Sequence, residues 1–282
     1  MPSMGETVLG NSFALGPGGK GSNQAVAAGK MGVKVSIISR LGNDDFAEMA
    51  LETWKKAGVT AHVNQSPNDY TGAAFIFIEE STGNNAIIIS PGAAAKISTE
   101  DLISKTELIS SSDVFVTQLE QPMDAALKGL EIAKSRGVTT VLNPAPAAEL
   151  PDRMLKLCDY ITPNEIETEA LTGISVNTIE DANHAAKALK EMGVSTPIIT
   201  LGERGAYLFG HGLVPAFNVG PVVETTGAGD AFNGGFSAAL SEGMTPLAAV
   251  QMGCATAGIS VTRPGTAPSM PSREEVNKLL QK

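Results

Sequence analysis

VTTVLN (residues 138–143), DYITPN (159–164) and TPIITLG (196–202) share one form: a short apolar, β-rich run that stops on asparagine or glycine. Helix-like or turn segments separate them. The same alternation begins upstream with VKVSIIS (33–39), FAEMALETWKKAG (46–58, closed by a glycine stop signal), DVFVTQL (113–119) and a helix predicted over 122–136. Unbroken apolar strands separated by helices predict a mostly parallel sheet covered on both faces and joined by right-handed crossovers. The fold class is α/β.

One region breaks the alternation. TGAAFIFIEE (71–80), the turn-rich STGNN (81–85) and AIIIS (86–90) read as a β-hairpin with no helix between its strands, and ETVLGNSFAL (6–15) is also strand-like. These segments predict a small β appendage. Ser98 to Asp101 has the spacing of a capping box and marks the return to the main layer. No repeat, low-complexity tract or long linker divides the 282 residues, so a single domain is expected over 1–282.

Composition narrows the function. A net charge of −10 disfavours nucleic acid, because affinity there comes largely from neutralised phosphates. No apolar run approaches the ~18 residues of a membrane span, and the first residues lack a basic start followed by an apolar stretch, so a cytoplasmic protein is expected. Cys158 and Cys254 stand in unrelated contexts and imply no disulfide framework. His62, His184 and His211 lack metal-ligand spacing.

In an open parallel sheet, ligands collect beyond the carboxyl ends of the strands. Glu120, Asn143, Asn164, Glu167, Thr200 and Gly202 fall there, although each alone could equally cap a helix or form a turn. The strongest segment is VVETTGAGDAFNGGFSAAL (222–240), read as a strand entering a Gly-Ala-Gly turn with Asp230 opening a helix. Glycines let several N–H groups face one point, and the helix start adds about half a positive charge. That is a cradle for an anion. An aspartate beside a phosphate makes chemical sense if it orients and deprotonates a hydroxyl attacking that phosphate. GPGGKGSNQ (16–24) raises a separate question, since Gly16, Gly18 and Gly21 spell the G-x-G-x-x-G of dinucleotide sites.

Together GGKGSNQAVAAGKMG, LNPAPA, TPNEIE, TLGERGAYL, ETTGAGDAFNGGF and VTRPGTAPSMP, in this order and nearly end to end, resemble the ribokinase branch of the ribokinase-like carbohydrate kinases. The resemblance implies a three-layer α/β/α fold with a small β lid formed by about 4–16 and 59–91. It implies transfer of phosphate from ATP to the 5-hydroxyl of D-ribose, giving ribose 5-phosphate and ADP. Another acceptor (2-deoxyribose, fructose or adenosine) or a shortened, inactive ligand-binding form are the alternatives.

By the same resemblance, Gly19, Lys20, Asn23 and Glu120 bind the sugar. The dinucleotide reading of Gly16 to Gly21 is set aside: no clear strand leads into Gly16, and Gly21 follows Lys20 where a Walker motif needs Ser or Thr. Asp230 is the implied base and a sugar contact, with Gly227, Ala228 and Gly229 as the anion hole. Asn164, Thr200, Gly202 and Gly205 are implied ATP contacts, and Glu167 organises magnesium through water. Glu224, Thr226, Ser260, Arg263, Gly265 and Ser269 correspond to a potassium site, mostly through backbone carbonyls. Aspartate is usual where Glu224 stands, and the extra methylene could displace the carboxylate. Lids of such kinases can pair between subunits, which implies a homodimer. Relatives normally place a sheet strand and a sugar-binding aspartate before the segment matched by GETVLG; neither appears here, which implies either an N-terminally shortened form or a protein lacking part of its sheet and sugar site.

Overall fold

A computed structural model describes residues 3–79 and 85–281. The chain runs α1 (Lys20–Lys30), β1 (Val35–Leu41), α2 (Asp45–Lys56), β2 (Val59–Gln65), β3 (Thr71–Ile78), β4 (Asn85–Gly92), α3 (Thr99–Ile103), α4 (Thr106–Ser110) and β5 (Val114–Thr117). It continues through α5 (Met123–Ser135), β6 (Thr139–Leu142), α6 (Asp152–Leu155), β7 (Tyr160–Ile161), α7 (Glu165–Thr172), α8 (Ile179–Glu191) and β8 (Thr196–Thr200). β9 (Gly205–Leu208), β10 (Gly212–Pro215), α9 (Ala228–Ser241), α10 (Pro246–Ser260) and α11 (Arg273–Leu280) complete it.

Six strands lie in the order β10-β9-β8-β7-β6-β5. β5 through β8 are parallel, with Val141 opposite Tyr160 and Ile161 opposite Pro197, whereas β9 and β10 turn back antiparallel. The three quoted runs are therefore neighbouring parallel strands of an α/β fold. Val141, Leu142, Ile161, Ile198 and Ile199 are fully buried, as a sheet covered on both faces requires. Helix ends follow local chemistry. Asp44 caps α2 by accepting from Ala47 N at 2.9 Å, and Ser98 with Asp101 forms the expected capping box.

Three expectations are corrected. Residues 6–15 form no strand: Val8, Leu9, Phe13 and Leu15 stay exposed, and among the described residues no strand pairs with the segment. β2, placed in the lid by the 59–91 boundary, pairs in parallel with β1 in a two-stranded sheet, while β3 and β4 alone form the hairpin. Most of its STGNN turn lies outside the described residues. Residues 222–225 are not a strand either, because the N–H groups of Val223 and Glu224 both converge on the carbonyl of Val261, at 2.8 and 3.2 Å, where a ladder would alternate.

What positions the site is the sandwich of α9 between α1 and α10. A Cβ on Gly234 would stand 2.3 Å from Ala27 Cβ, and one on Gly235 would stand 2.3 Å from Thr256 Oγ1. Two glycines therefore bring α1 and α10 close against adjacent faces of α9, at roughly 1 kcal/mol each in helix propensity relative to alanine. Phe236, fully buried, packs edge-on against Tyr160 of β7 at 5.2 Å and fixes α9 beneath the sheet. The first turns of α1 and α9 are thereby held side by side.

Candidate active site

α9 starts on Gly227, whose φ of 83° lies in the left-handed region and whose Cβ would press on Thr266 Cβ at 3.2 Å. Ala228 donates its N–H to Thr225 O at 3.1 Å; among the described residues the N–H groups of Gly229 and Asp230 have no acceptor. The helix start thus offers free donors where its dipole favours an anion.

Asp230 is 7% exposed. Its Oδ2 accepts from Asn23 Nδ2 at 2.9 Å and its Oδ1 from Gln24 Nε2 at 3.0 Å, both from α1. Burial pushes its carboxyl pKa up; the two amides and the Lys20 charge pull it back, and Glu120 adds repulsion. A carboxylate so placed can take a proton from a hydroxyl. Lys20 opens α1 and donates its N–H to Glu120 Oε2 at 2.8 Å, tying α1 to the segment after β5. Asn164 caps α7 in a capping box: its Oδ1 accepts from Glu167 N at 2.8 Å, and Glu167 Oε2 accepts from Asn164 N at 2.9 Å. Burial also raises the Glu167 pKa, against the lowering effects of the Asn164 N–H and Lys20.

These residues meet at a cavity of about 160 Å³, lined by Lys20, Asn164, Glu167, Thr200, Gly227, Gly229 and Asp230 together with Asn143, Ala145, Thr162 and Asn233. Asn23 and Glu120 reach it through Asp230 and Lys20. Gly202 and Gly205 are not brought to it. They flank the turn between β8 and β9, where a Cβ on Gly205 would stand 2.1 Å from Val214 O. The six residues matched to a cation site lie in and around two adjoining segments, since Gly265 donates its N–H to Glu224 Oε2 at 2.8 Å. Ser260 and Ser269 turn their hydroxyls to Ala257 O and Thr266 O, and Arg263 pairs with Glu275.

Sequence reasoning missed Gln24, Gln118, Thr162 and Asn233. Thr162 Oγ1 donates to Asn233 Oδ1 at 2.7 Å, and Asn233 Nδ2 donates to Gly229 O at 2.8 Å, bracing the α9 start against β7. Gln118 and Thr162 stand just beyond β5 and β7, the positions that the strand-end rule selects. Asn233 and Gln24 carry no such signal, because each lies within a helix rather than at a strand end.

Known proteins resemble this chain over nearly its whole length. The chain is 40% identical over 282 residues to a ribokinase of Haemophilus influenzae, covering 98% of this chain and 91% of that one. It is 38% identical to a deoxyribokinase of Salmonella typhi, covering 99% and 92%. The structure of Arabidopsis thaliana ribokinase complexed with ribose and ATP superposes with a TM-score of 0.93 at 30% identity, covering 100% of this chain and 93% of that one. The model of the pfkB family of carbohydrate kinases matches residues 2–273, so the helix start bearing Asp230, the α1 amides that hold it and the sheet beneath them belong to a member of the pfkB carbohydrate kinase family.

Proposed function

We propose that this chain transfers the γ-phosphoryl group of ATP to the 5-hydroxyl of D-ribose, giving ribose 5-phosphate and ADP. The observation that carries the proposal is the buried Asp230 carboxylate, held by two amides in the first turn of a helix where the N–H groups of Gly229 and Asp230 have no acceptor among the described residues. Asp230 accepts the hydroxyl proton as the sugar oxygen bonds to the γ-phosphorus. The bond to the bridging oxygen breaks, and that oxygen leaves with ADP. The helix start, with Gly227, Ala228 and Gly229 shaping it, stabilises the charge on the transferring group.

Gly19, Lys20, Asn23 and Glu120 bind the sugar. Asn23 Oδ1 supports this assignment, being a buried acceptor without a partner among the described residues, suited to a sugar hydroxyl. Asn164, Thr200, Gly202 and Gly205 bind ATP. Glu167 fits magnesium: a carboxylate lining the cavity apart from the Asp230 base suits an ion that keeps most of its waters, and the bound ion would neutralise phosphate charge. The segments holding Glu224, Thr226, Ser260, Arg263, Gly265 and Ser269 supply oxygen donors for potassium. One Glu224 oxygen is already taken by Gly265 N–H, so backbone carbonyls carry most of that role.

The chain acts as one kinase domain, with β3 and β4 and the segment near 4–16 closing over the sugar to exclude water. The exposed apolar side chains of Phe75, Phe77, Ile88 and Ile89 support pairing of two lids in a cytoplasmic homodimer. A second reading, 2-deoxyribose as acceptor, is favoured by the 38% identity to a deoxyribokinase. ADP release measured with ribose, 2-deoxyribose, fructose and adenosine in parallel tests both. Preference for ribose supports the first reading, preference for deoxyribose the second, and release with neither overturns both.

A further inference from the structure

Three buried amide side chains form a directed relay beside Asp230. Asn143 Nδ2 donates to Thr162 O at 3.1 Å, so Asn143 Oδ1 faces Gln24 and accepts from its Nε2 at 3.0 Å. The same Nε2 donates to Asp230 Oδ1 at 3.0 Å, which leaves Gln24 Oε1 to accept from Gln118 Nε2 at 2.6 Å. A backbone carbonyl can only accept, as can a carboxylate, so both ends of the relay agree on the orientation of every amide. Gln24 is 4% exposed and does not line the cavity. Burying three amides is costly unless they are paired, and Gln24 uses both of its polar atoms within the relay. Gly21 leaves room for it: a Cβ there would press on Gln118 Oε1 at 3.0 Å.

We propose that Gln24 is a positioning residue for phosphoryl transfer: its Nε2 fixes Asp230 Oδ1 against the ends of β5, β6 and β7, while Asn23 fixes Oδ2. The inference rests on Asp230 being the base. Each carboxylate oxygen retains a lone pair for the incoming hydroxyl, and the two amides set the plane in which that lone pair lies. They also favour its ionised form, against the burial that raises its pKa. Lys20 of α1 favours the charged form, whereas Glu120 after β5 and Glu167 of α7 oppose it, so loss of the Gln24 donor leaves burial and repulsion to act.

The test is the pH profile of kcat/KM for the best sugar, measured on the full chain carrying Gln24→Met or Gln24→Glu, with Asp230→Asn alongside and folding checked by melting. Gln24→Met removes the donor at similar length, and its acidic limb is expected about one pH unit or more above the parent's. Gln24→Glu adds a like charge, and its limb is expected higher still. If Gln24→Met does not fold, the isosteric Gln24→Glu decides alone. An unmoved limb in the folded variants overturns the positioning role, even if their rates fall. Loss of turnover in Asp230→Asn alongside unmoved limbs leaves the base in place and removes only Gln24. Near-parent turnover in Asp230→Asn overturns the base assignment and this inference with it.

Discussion

Asn23 and Asp230, 207 residues apart in sequence, meet at 2.9 Å with the Asn23 Nδ2 donating to the Asp230 carboxylate. The contact joins the first turns of α1 and α9. It makes the stability of the helix pair and the state of the carboxylate parts of one problem.

Asp230→Asn is expected to separate stability from activity. Burial disfavours the Asp230 charge, so the stability this group contributes is fully present below its ordinary pKa of 3.8 and is lost as pH rises through the raised folded pKa. An amide carries no such charge, and Asn23 Oδ1, which has no partner among the described residues, can turn to accept from it. Differential scanning calorimetry near pH 8 should show a melting temperature equal to or above the parent's, whereas turnover falls ~100- to 10,000-fold, the range for a lost general base.

Gly234→Ala should lower both stability and turnover. An added Cβ meets Ala27 Cβ at 2.3 Å and the backbone atoms Gln24 O and Ala28 N at 2.8 and 2.9 Å, none of which can move without shifting α1. The gain of about 1 kcal/mol in helix propensity is outweighed by overpacking of ~1–3 kcal/mol. Urea titration should show the lowered midpoint. Kinetics should show a fall in kcat/KM as Asn23 and Asp230 separate.

Glu275→Gln should erode stability in a pH window that can be named. The Arg263 guanidinium and the Ser272 N–H hold the Glu275 carboxyl down from its ordinary 4.5 to about 2. A depressed pKa stabilises the fold above about pH 4.5, and that contribution disappears as pH falls toward 2. The melting-temperature gap between parent and Glu275→Gln should be widest above pH 5 and close below pH 3.

Glu120→Ala tests the contact between α1 and the segment after β5. Losing the carboxylate frees the Lys20 N–H and, on the proposed sugar contacts, removes a charge-assisted hydrogen bond of ~1.5–3 kcal/mol. Sugar KM should rise about 10- to 100-fold with a smaller change in kcat, read from initial rates at saturating ATP. An unchanged KM would remove Glu120 from the sugar site.

The parallel strands β5 to β8 were legible because fully covered strands require unbroken apolar runs, and the capping box of Ser98 and Asp101 because its side chains answer to bonds three residues away; at Asn164 and Glu167 a cap was one of several readings open to the residues. The GAGD turn was legible by chemistry, its aspartate being out of place beside a phosphate unless it handles a proton. Residues 222–225 read as a strand because valines and threonines suit one. The convergence of two N–H groups on Val261 O decides otherwise, and that contact lies nearly forty residues along the chain. The separate pairing of β1 with β2 and the relay from Gln118 through Gln24 to Asn143 are likewise set by tertiary proximity. Local patterns cannot carry them.

The most direct measurement is identification of the product by phosphorus and proton NMR after incubating the chain with D-ribose, ATP and magnesium, with Asp230→Asn in parallel. Phosphate attached at the 5-carbon of ribose, formed by the parent and nearly absent with the variant, is the expected result. Phosphate at another position, equal product from the variant, or no sugar-dependent product from folded protein would contradict the assignment of Asp230 as the base that activates the 5-hydroxyl.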